Sequence, residues 1–217
     1  MHDLILFSTT VFMGMFAIMN PFANTPIFIG LTQSNSPEEK RDIAFKSLLY
    51  AFIIVGMFCV TGKFIFNIFG ITLPAFKITG AILLFLVGYK LVQGKESEVH
   101  HPDDETKETI RKQHEDNSIN IAISPLAIPI LAGPGTIATA MNFIGDSPTM
   151  THMIIVLISF LLLCLITFLM FVYGEKLVHF LGKGVINVIS RIMGLILAVI
   201  ATQMLIAGIH GAIQLYN

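Results

Sequence analysis

The residues best suited to ligand chemistry are amides and hydroxyls that stand beside prolines in apolar sequence. Near the N-terminus, Asn20, Asn24 and Thr25 alternate with Pro21 and Pro26. Amide and hydroxyl oxygens accept hydrogen bonds from a cationic group, whereas amide nitrogens and free backbone N–H groups donate to a carboxylate. The pattern therefore predicts a small polar site inside a region that is otherwise hydrophobic.

A second group of the same kind lies in the second half of the chain, within the apolar run 124–139. Its polar and small residues are Ser124, Gly133, Gly135, Thr136 and Thr139, and its prolines are Pro125, Pro129 and Pro134. Glycine permits a close approach, and two threonines three residues apart place their hydroxyls one helical turn apart. Proline removes a backbone N–H, so we expect the prolines of both groups to break their helices.

Two broken helices of this composition can hold a small zwitterion. A helix that restarts after a break points free N–H groups and the positive end of its dipole at the gap, which suits a carboxylate. Freed carbonyls, with Asn and Thr oxygens, suit an ammonium group or Na⁺. No Asp or Glu falls inside an apolar segment, so a coupling ion is expected to be Na⁺ rather than H⁺. No other cofactor or metal is expected, and no catalytic constellation predicts an enzyme.

The elements that carry these residues are predicted membrane spans. The 217 residues are 54% hydrophobic and only 12% charged, against about 25% charged in soluble domains. Spans need about 20 residues, and the apolar segments lie near 4–32, 43–66, 71–92, 119–144, 151–173 and 188–210. We therefore predict an all-α polytopic membrane protein with six transmembrane helices, of which helices 1 and 4 are discontinuous. The start of the chain lacks a basic region, so segment one is expected to be retained.

The distribution of Lys and Arg predicts the orientation. Eleven of the thirteen lie in the connections after segments one, three and five, and the exceptions are Lys63 and Lys77. By the positive-inside rule, both termini lie outside the cytoplasm. A re-entrant segment four would put the basic connection after segment five outside, so a full crossing is preferred. Nothing in the chain is basic enough to predict a nucleic-acid partner.

The two halves of the chain resemble each other weakly. An offset of 114 pairs Lys77 with Arg191 and Gly80 with Gly194, and an offset of 104 pairs the two proline groups. Three spans per half predict a 3+3 inverted-topology repeat, with residues 1–94 and 118–217 as repeats and 95–117 as a polar cytoplasmic loop. We expect the paired glycines to make close helix contacts and the paired basic residues to extend toward the membrane surface.

Three stretches carry a resemblance to a known family. Residues 20–28, 125–137 and 191–195 resemble the MarC family of bacterial and archaeal inner-membrane proteins, also called the neutral amino acid transporter family. One departure is Thr79-Gly80-Ala81, where many relatives have Ala-Gly-Gly. The resemblance implies a multi-pass protein of the cell inner membrane that takes up small neutral amino acids such as glycine, alanine or serine.

The leading hypothesis is a secondary transporter of small neutral amino acids, whose halves rock around a midplane site between the broken helices. The alternatives are a channel or exporter for another small solute, and a non-transporting membrane scaffold. The expected partners are a small-molecule substrate and the lipid bilayer, and homo-oligomerisation is left open.

Overall fold

A computed structural model describes residues 2–33, 35–94, 131–145 and 149–216, and all regular structure in these ranges is helical. The helices are α1 (His2–Met19), α2 (Pro21–Leu31), α3 (Pro37–Phe69), α4 (Leu73–Val92), α5 (Pro134–Gly145), α6 (Met150–Val172) and α7 (Gly174–Tyr216). The all-α prediction is confirmed for this part of the chain.

Five stretches of the described chain are long and apolar enough to cross a membrane. They are Asp3–Leu31, which joins α1 and α2, and then Pro37–Gly62, Leu73–Val92, Met150–Val172 and Gly184–Leu215. The predicted fourth span, 119–144, is described only from residue 131, where it contains the 12-residue α5. The chain is therefore a polytopic membrane protein, and a sixth crossing stays a prediction.

Local chemistry sets the ends of the long helices. Before α3, the Ser36 hydroxyl accepts the Glu39 N–H while the Glu39 carboxylate accepts the Ser36 N–H, with Pro37 at the first helical position. This capping box satisfies two donors that would otherwise lack partners. The helix stops at Gly70, whose φ of 62° is readily adopted only by glycine. Inside α7, Gly182 (φ 75°) interrupts the helix before its membrane-spanning part.

The buried apolar side chains of the described residues form two main clusters. The first, which we call the aromatic cluster, contains large residues of α1, α2, α3 and α6, among them Met15, Met19, Phe28, Phe160 and Phe171. The second, which we call the small-residue cluster, comprises Ile18, Ala81, Leu84, Ala138, Leu197, Ala201 and Met204. Helices α1 and α5 contribute to both clusters and therefore form the boundary between them.

Helices α4 and α7 pack so closely in the small-residue cluster that their backbones touch. A Cβ atom on Gly88 would lie 2.7 Å from the Gly194 carbonyl oxygen, and one on Gly194 would lie 2.6 Å from the Leu91 Cβ. A Cβ atom on Gly80 would lie 2.7 Å from the Met204 Cε. The predicted close contacts of Gly80 and Gly194 are confirmed, and small residues bring these helices together.

Candidate functional site

The first predicted break is a single residue, Asn20, between α1 and α2. Its backbone is left-handed, with φ 39° and ψ 71°, and in the described chain no other non-glycine residue has a positive φ. Asparagine tolerates this conformation better than most residues. Its side-chain oxygen then accepts the Ala23 N–H at 3.3 Å, which caps the helix that Pro21 begins.

The neighbouring polar side chains satisfy the backbone at this break. Asn24 Nδ2 donates to the Met19 carbonyl at 2.6 Å, which is one of the last carbonyls of α1. The Thr25 hydroxyl donates to the Pro21 carbonyl at 2.7 Å. Asn20, Asn24 and Thr25 are all buried, so the three predicted residues lie together inside the protein and stabilise an interrupted helix.

The prediction that Pro26 breaks a helix is wrong. Helix α2 resumes at Pro21 and continues through Pro26 to Leu31. The break lies at Asn20, whose left-handed backbone interrupts the helix, whereas Pro26 only removes one N–H donor from a helix that tertiary packing holds in place. Thr25 therefore lies on a helix, one turn beyond the break.

The second predicted break is described from Leu131 onward. Pro134 is the first residue of α5, and the Ile137 N–H bonds to the Gly133 carbonyl at 3.1 Å. Proline suits this position because an N–H in the first turn of a helix has no intrahelical acceptor, so its absence costs no hydrogen bond. Three of the predicted residues, Ser124, Pro125 and Pro129, lie outside the described residues.

Helix α5 runs antiparallel to α1, so its start lies beside the first break. A Cβ atom on Gly135 would lie 2.9 Å from the Ile18 Cδ1, and one on Gly14 would lie 2.9 Å from the Phe143 Cζ. Thr139 is midway between these contacts, about 6 Å along α5 from Gly135. The first break and the N-terminal end of α5 therefore lie at the same level of the molecule.

Two buried polar atoms in this region lack a hydrogen-bond partner among the described residues: Asn20 Nδ2 at the first break and Thr139 Oγ1 within α5. Asn20 is 3% exposed and Thr139 is 1% exposed. Leaving such an atom unpaired costs about 1–3 kcal/mol, and most buried polar groups in proteins are paired. Thr136, one turn before Thr139, is also buried. One amide donor at the first break and one hydroxyl within α5 are therefore buried without a partner among the described residues.

Other residues of the site were missed by sequence reasoning. The Thr167 oxygen of α6 lies 3.7 Å from the Met19 Sδ while its hydroxyl donates to the Leu163 carbonyl at 2.8 Å. A Cβ atom on Gly174 would lie 2.8 Å from the Thr25 Cγ2. A threonine in the middle of the apolar segment five was the available signal for Thr167, whereas nothing local distinguishes Gly174.

A stacked aromatic pair separates the first break from a cavity at the end of α2. The rings of Phe28 and Phe171 are 4.4 Å apart with an interplanar angle of 6°. Beyond them lies a cavity of about 300 Å³, lined in part by Thr32, Lys40 and Glu175. The cavity wall therefore includes residues of α2, α3 and α7.

An ion pair crosses this cavity wall. Lys40 Nζ lies 2.7 Å from Glu175 Oε1 and joins the start of α3 to the start of α7. The hydrogen bond from Lys40 and its positive charge hold the pKa of the Glu175 carboxyl below its usual value. The pair therefore favours the arrangement in which these two helix ends are close together.

The predicted extension of Lys77 to the membrane surface is wrong, because Lys77 is 5% exposed and shares a buried face of α4 with Gly80 and Leu84. Arg191 is exposed, and its Nη2 would lie 2.6 Å from a Cβ on Gly94 at the end of α4. A cation is favourable there because the last carbonyls of a helix carry partial negative charge.

Comparison with known proteins agrees with this all-helical membrane architecture. Residues 5–213 match the model of a family described as MarC family integral membrane protein. The chain is 41% identical to UPF0056 membrane protein YvbG of Bacillus subtilis, covering 94% of this chain and 95% of that protein. It is 37% identical to UPF0056 membrane protein MJ1677 of Methanocaldococcus jannaschii, covering 93% and 95%. No solved structure matches the chain. From the match over nearly its whole length, the chain belongs to the MarC family of integral membrane proteins.

Proposed function

We propose that the protein is a secondary transporter of small neutral amino acids in the inner membrane. The observation that carries the proposal is the pair of buried polar atoms without a partner among the described residues, Asn20 Nδ2 at the first break and Thr139 Oγ1 just over one turn into the adjacent α5. The amide donor and the N-terminal end of α5 suit a carboxylate, whereas the threonine oxygen suits an ammonium group. The lack of an acidic side chain in this set favours a substrate without net charge.

Reciprocal contacts support the inverted repeat that such a transporter requires. Lys77 packs against Gly208, since a Cβ on Gly208 would lie 3.1 Å from the Lys77 Cβ, and Arg191 packs against Gly94. In the repeat with an offset of 114, Lys77 corresponds to Arg191 and Gly208 corresponds to Gly94, so the two contacts are equivalent. A two-fold axis between antiparallel α4 and α7 produces such an exchange, and inverted repeats of this kind enclose a site near the bilayer midplane.

The two buried clusters suggest which parts move. Each half of the sequence contributes to both clusters, since α4 packs on α7 and α3 packs on α6. We therefore propose that the two clusters, rather than the two halves of the sequence, move relative to each other. The site lies at their boundary, where α1 places Met19 in the aromatic cluster and Ile18 in the small-residue cluster.

The end of the site near Thr32 faces the cytoplasm in this proposal, because the first, third and fifth connections carry most of the Lys and Arg residues. The stacked Phe28 and Phe171 and the Lys40–Glu175 ion pair would close that end. Movement of one cluster against the other would separate Lys40 from Glu175, whereas Phe28 and Phe171 both belong to the aromatic cluster and would stay together. The Asn and Thr oxygens of this set, with no acidic side chain among them, favour Na⁺ over H⁺ as a coupling ion.

Uptake by proteoliposomes tests the proposal. Purified protein is reconstituted, and uptake of labelled glycine, alanine and serine is measured with and without an inward Na⁺ gradient. Saturable uptake that rises with the gradient is expected. Flux that does not saturate would favour a channel. A folded protein with no uptake and no binding of any neutral amino acid would contradict the proposal and favour a scaffold.

A second measurement examines the site without knowledge of the substrate. Cysteines placed at Asn24 and Thr136, in a background lacking Cys59 and Cys164, are treated with membrane-impermeant thiol reagents from each side. Both native cysteines are buried and free, so their removal is a mild change. Access to both positions from at least one side is expected. Inaccessibility of both positions from both sides would contradict a solute pathway.

A further inference from the structure

An open groove runs along the outside of the protein between α3 and α6. It has a volume of about 780 Å³ and lies apart from the two helix breaks. Each wall is a stripe with i, i+3, i+4, i+7 spacing, which is one face of a helix. The apolar wall residues are Phe45, Leu48, Leu49 and Phe52 from α3, and Leu161, Cys164, Leu165 and Phe168 from α6.

The groove has a buried floor and an exposed apolar rim. Leu48 and Cys164 are buried, whereas Phe45 is 57% exposed and Leu165 is 54% exposed. The edge-to-face contact of Phe45 with Phe168, at 6.5 Å between centroids, joins the walls. In a membrane protein, such a rim faces acyl chains rather than water.

The length of the groove matches a lipid chain. From Glu38 to Phe52, α3 advances by about 21 Å at 1.5 Å per residue. One leaflet of the hydrocarbon core is about 15 Å deep. A groove of this length can therefore hold one acyl chain and still have room for a head group at its end.

The end of the groove near the start of α3 is charged. Glu38, Arg41 and Asp42 line it. Asp42 lies 2.6 Å from Lys46 in an ion pair, whereas neither Glu38 nor Arg41 forms an ion pair within the described chain. A guanidinium binds phosphate in a bidentate manner, and a carboxylate accepts hydrogen bonds from an ammonium group. Both charges of a zwitterionic phospholipid therefore have a counterpart at one end of an apolar groove.

We propose that this groove binds a zwitterionic phospholipid that carries a primary ammonium group. Its phosphate contacts Arg41, its ammonium group contacts Glu38, and one acyl chain lies on the apolar walls. The Glu38 carboxylate, which has no basic partner within the described chain, disfavours an anionic head group because like charges repel. The bound lipid fills the space between α3 and α6 and is independent of the proposed transport activity.

The absence of tryptophan from the natural chain permits a selective test. Leu49→Trp places a fluorophore at the groove, and Leu86→Trp places a matched one on α4, where Leu86 is 51% exposed and outside the groove. Each variant is reconstituted in equal parts of phosphatidylethanolamine and phosphatidylglycerol, with brominated chains on one lipid at a time. Stronger quenching by brominated phosphatidylethanolamine is expected for Leu49→Trp, and equal quenching by the two lipids is expected for Leu86→Trp.

Charge variants in the Leu49→Trp background identify the head-group contacts. Arg41→Ala should weaken the preferred binding about tenfold, the size expected for one charge-assisted hydrogen bond. Lys176→Ala removes an exposed basic residue at the same end, outside the groove, and should leave the preference unchanged. Glu38→Lys should shift the preference toward phosphatidylglycerol. Because all three changes are at exposed positions, each protein is expected to fold, and thermal unfolding verifies this.

Three outcomes would overturn the proposal. Equal quenching of Leu49→Trp by both lipids means that no head group is selected. An Arg41→Ala protein that folds and keeps the full preference means that the phosphate is bound elsewhere. A Leu49→Trp fluorophore shielded from both lipids means that protein, such as a second copy of the chain, covers the groove.

Discussion

The two buried clusters differ in how their helices approach each other. In the small-residue cluster, α4 and α7 touch through the backbones of Gly88 and Gly194. In the aromatic cluster, α3 and α6 are separated by phenylalanine rings, and the groove between them remains open. Close backbone packing leaves no alternative arrangement, whereas large side chains at an open interface can repack. The comparison suggests that α4 and α7 form a rigid unit and that the aromatic cluster is the more adaptable one.

The largest effect is expected when a leucine replaces a glycine at the closest contact between α4 and α7. Gly194→Leu should lower stability by about 3 kcal/mol, because the new side chain must displace backbone atoms of α4. Gly184→Leu is the matched control in the same helix, since a Cβ there meets nothing within 4 Å. Thermal unfolding in detergent measures both. Equal stability of the two variants would mean that α4 and α7 are not rigidly packed.

The boundary between the clusters is tested by isosteric removal of hydroxyl groups. Thr139→Val should weaken substrate binding about tenfold, near 1.4 kcal/mol, without loss of stability, because its hydroxyl has no partner among the described residues. Ser47→Ala is the control, since that buried hydroxyl lies on α3 outside the site and already donates to the Ile43 carbonyl. Binding of labelled alanine and thermal unfolding are measured for both. A stability loss in Thr139→Val with unchanged binding would assign that hydroxyl to structure alone.

The adaptable cluster should accept additional volume. Cys164→Leu enlarges a side chain on the floor of the groove, and we expect it to change stability by less than about 1 kcal/mol because the space above is open. The measurement is thermal unfolding alongside Gly194→Leu. If Cys164→Leu destabilised the protein as much as Gly194→Leu, the aromatic cluster would be no more adaptable than the small-residue cluster.

The smallest effect is expected at the ion pair that joins α3 to α7. The pKa of Glu175 is depressed by Lys40, so the pair stabilises the folded protein above the ordinary glutamate pKa of about 4.3. This contribution is lost as the pH falls through the lower folded-state pKa. Both side chains are partly exposed, so Glu175→Gln should lower the melting temperature by only about 1 °C at pH 6.

The pH dependence supplies the control for that prediction. The difference in melting temperature between wild type and Glu175→Gln should vanish once the pH is well below the depressed pKa of folded Glu175, since the wild-type carboxyl is then neutral as well. High salt should reduce the difference at pH 6 through screening. A difference that persists unchanged in acid would mean that the Lys40 contact is not its cause.

Sequence reasoning located the first break because its cause is local. An asparagine followed by proline ends one helix and begins the next, and both effects act within a few residues. The same local reasoning was wrong for Pro26, which lies inside α2. A proline removes one donor, and whether a helix continues past it depends on packing from other elements.

Residues far away in sequence determine whether each basic side chain is buried or exposed. Lys77 and Arg191 occupy corresponding positions in the weak repeat, yet Lys77 is buried and Arg191 is exposed. Nothing within either segment distinguishes the two side chains. The difference arises from which helices pack over each one.

The sequence alone determined the membrane class, a helix break within residues 20–26 and close helix contacts at Gly80 and Gly194. Hydrophobic length, backbone chemistry and side-chain size act over short stretches and can be read from residue types. Only the tertiary structure decided that Asn20 Nδ2 and Thr139 Oγ1 remain unpaired, that Phe28 stacks on Phe171, and that α3 and α6 leave a groove. These features depend on which helix faces meet, because a side chain's partners are set by packing between distant segments.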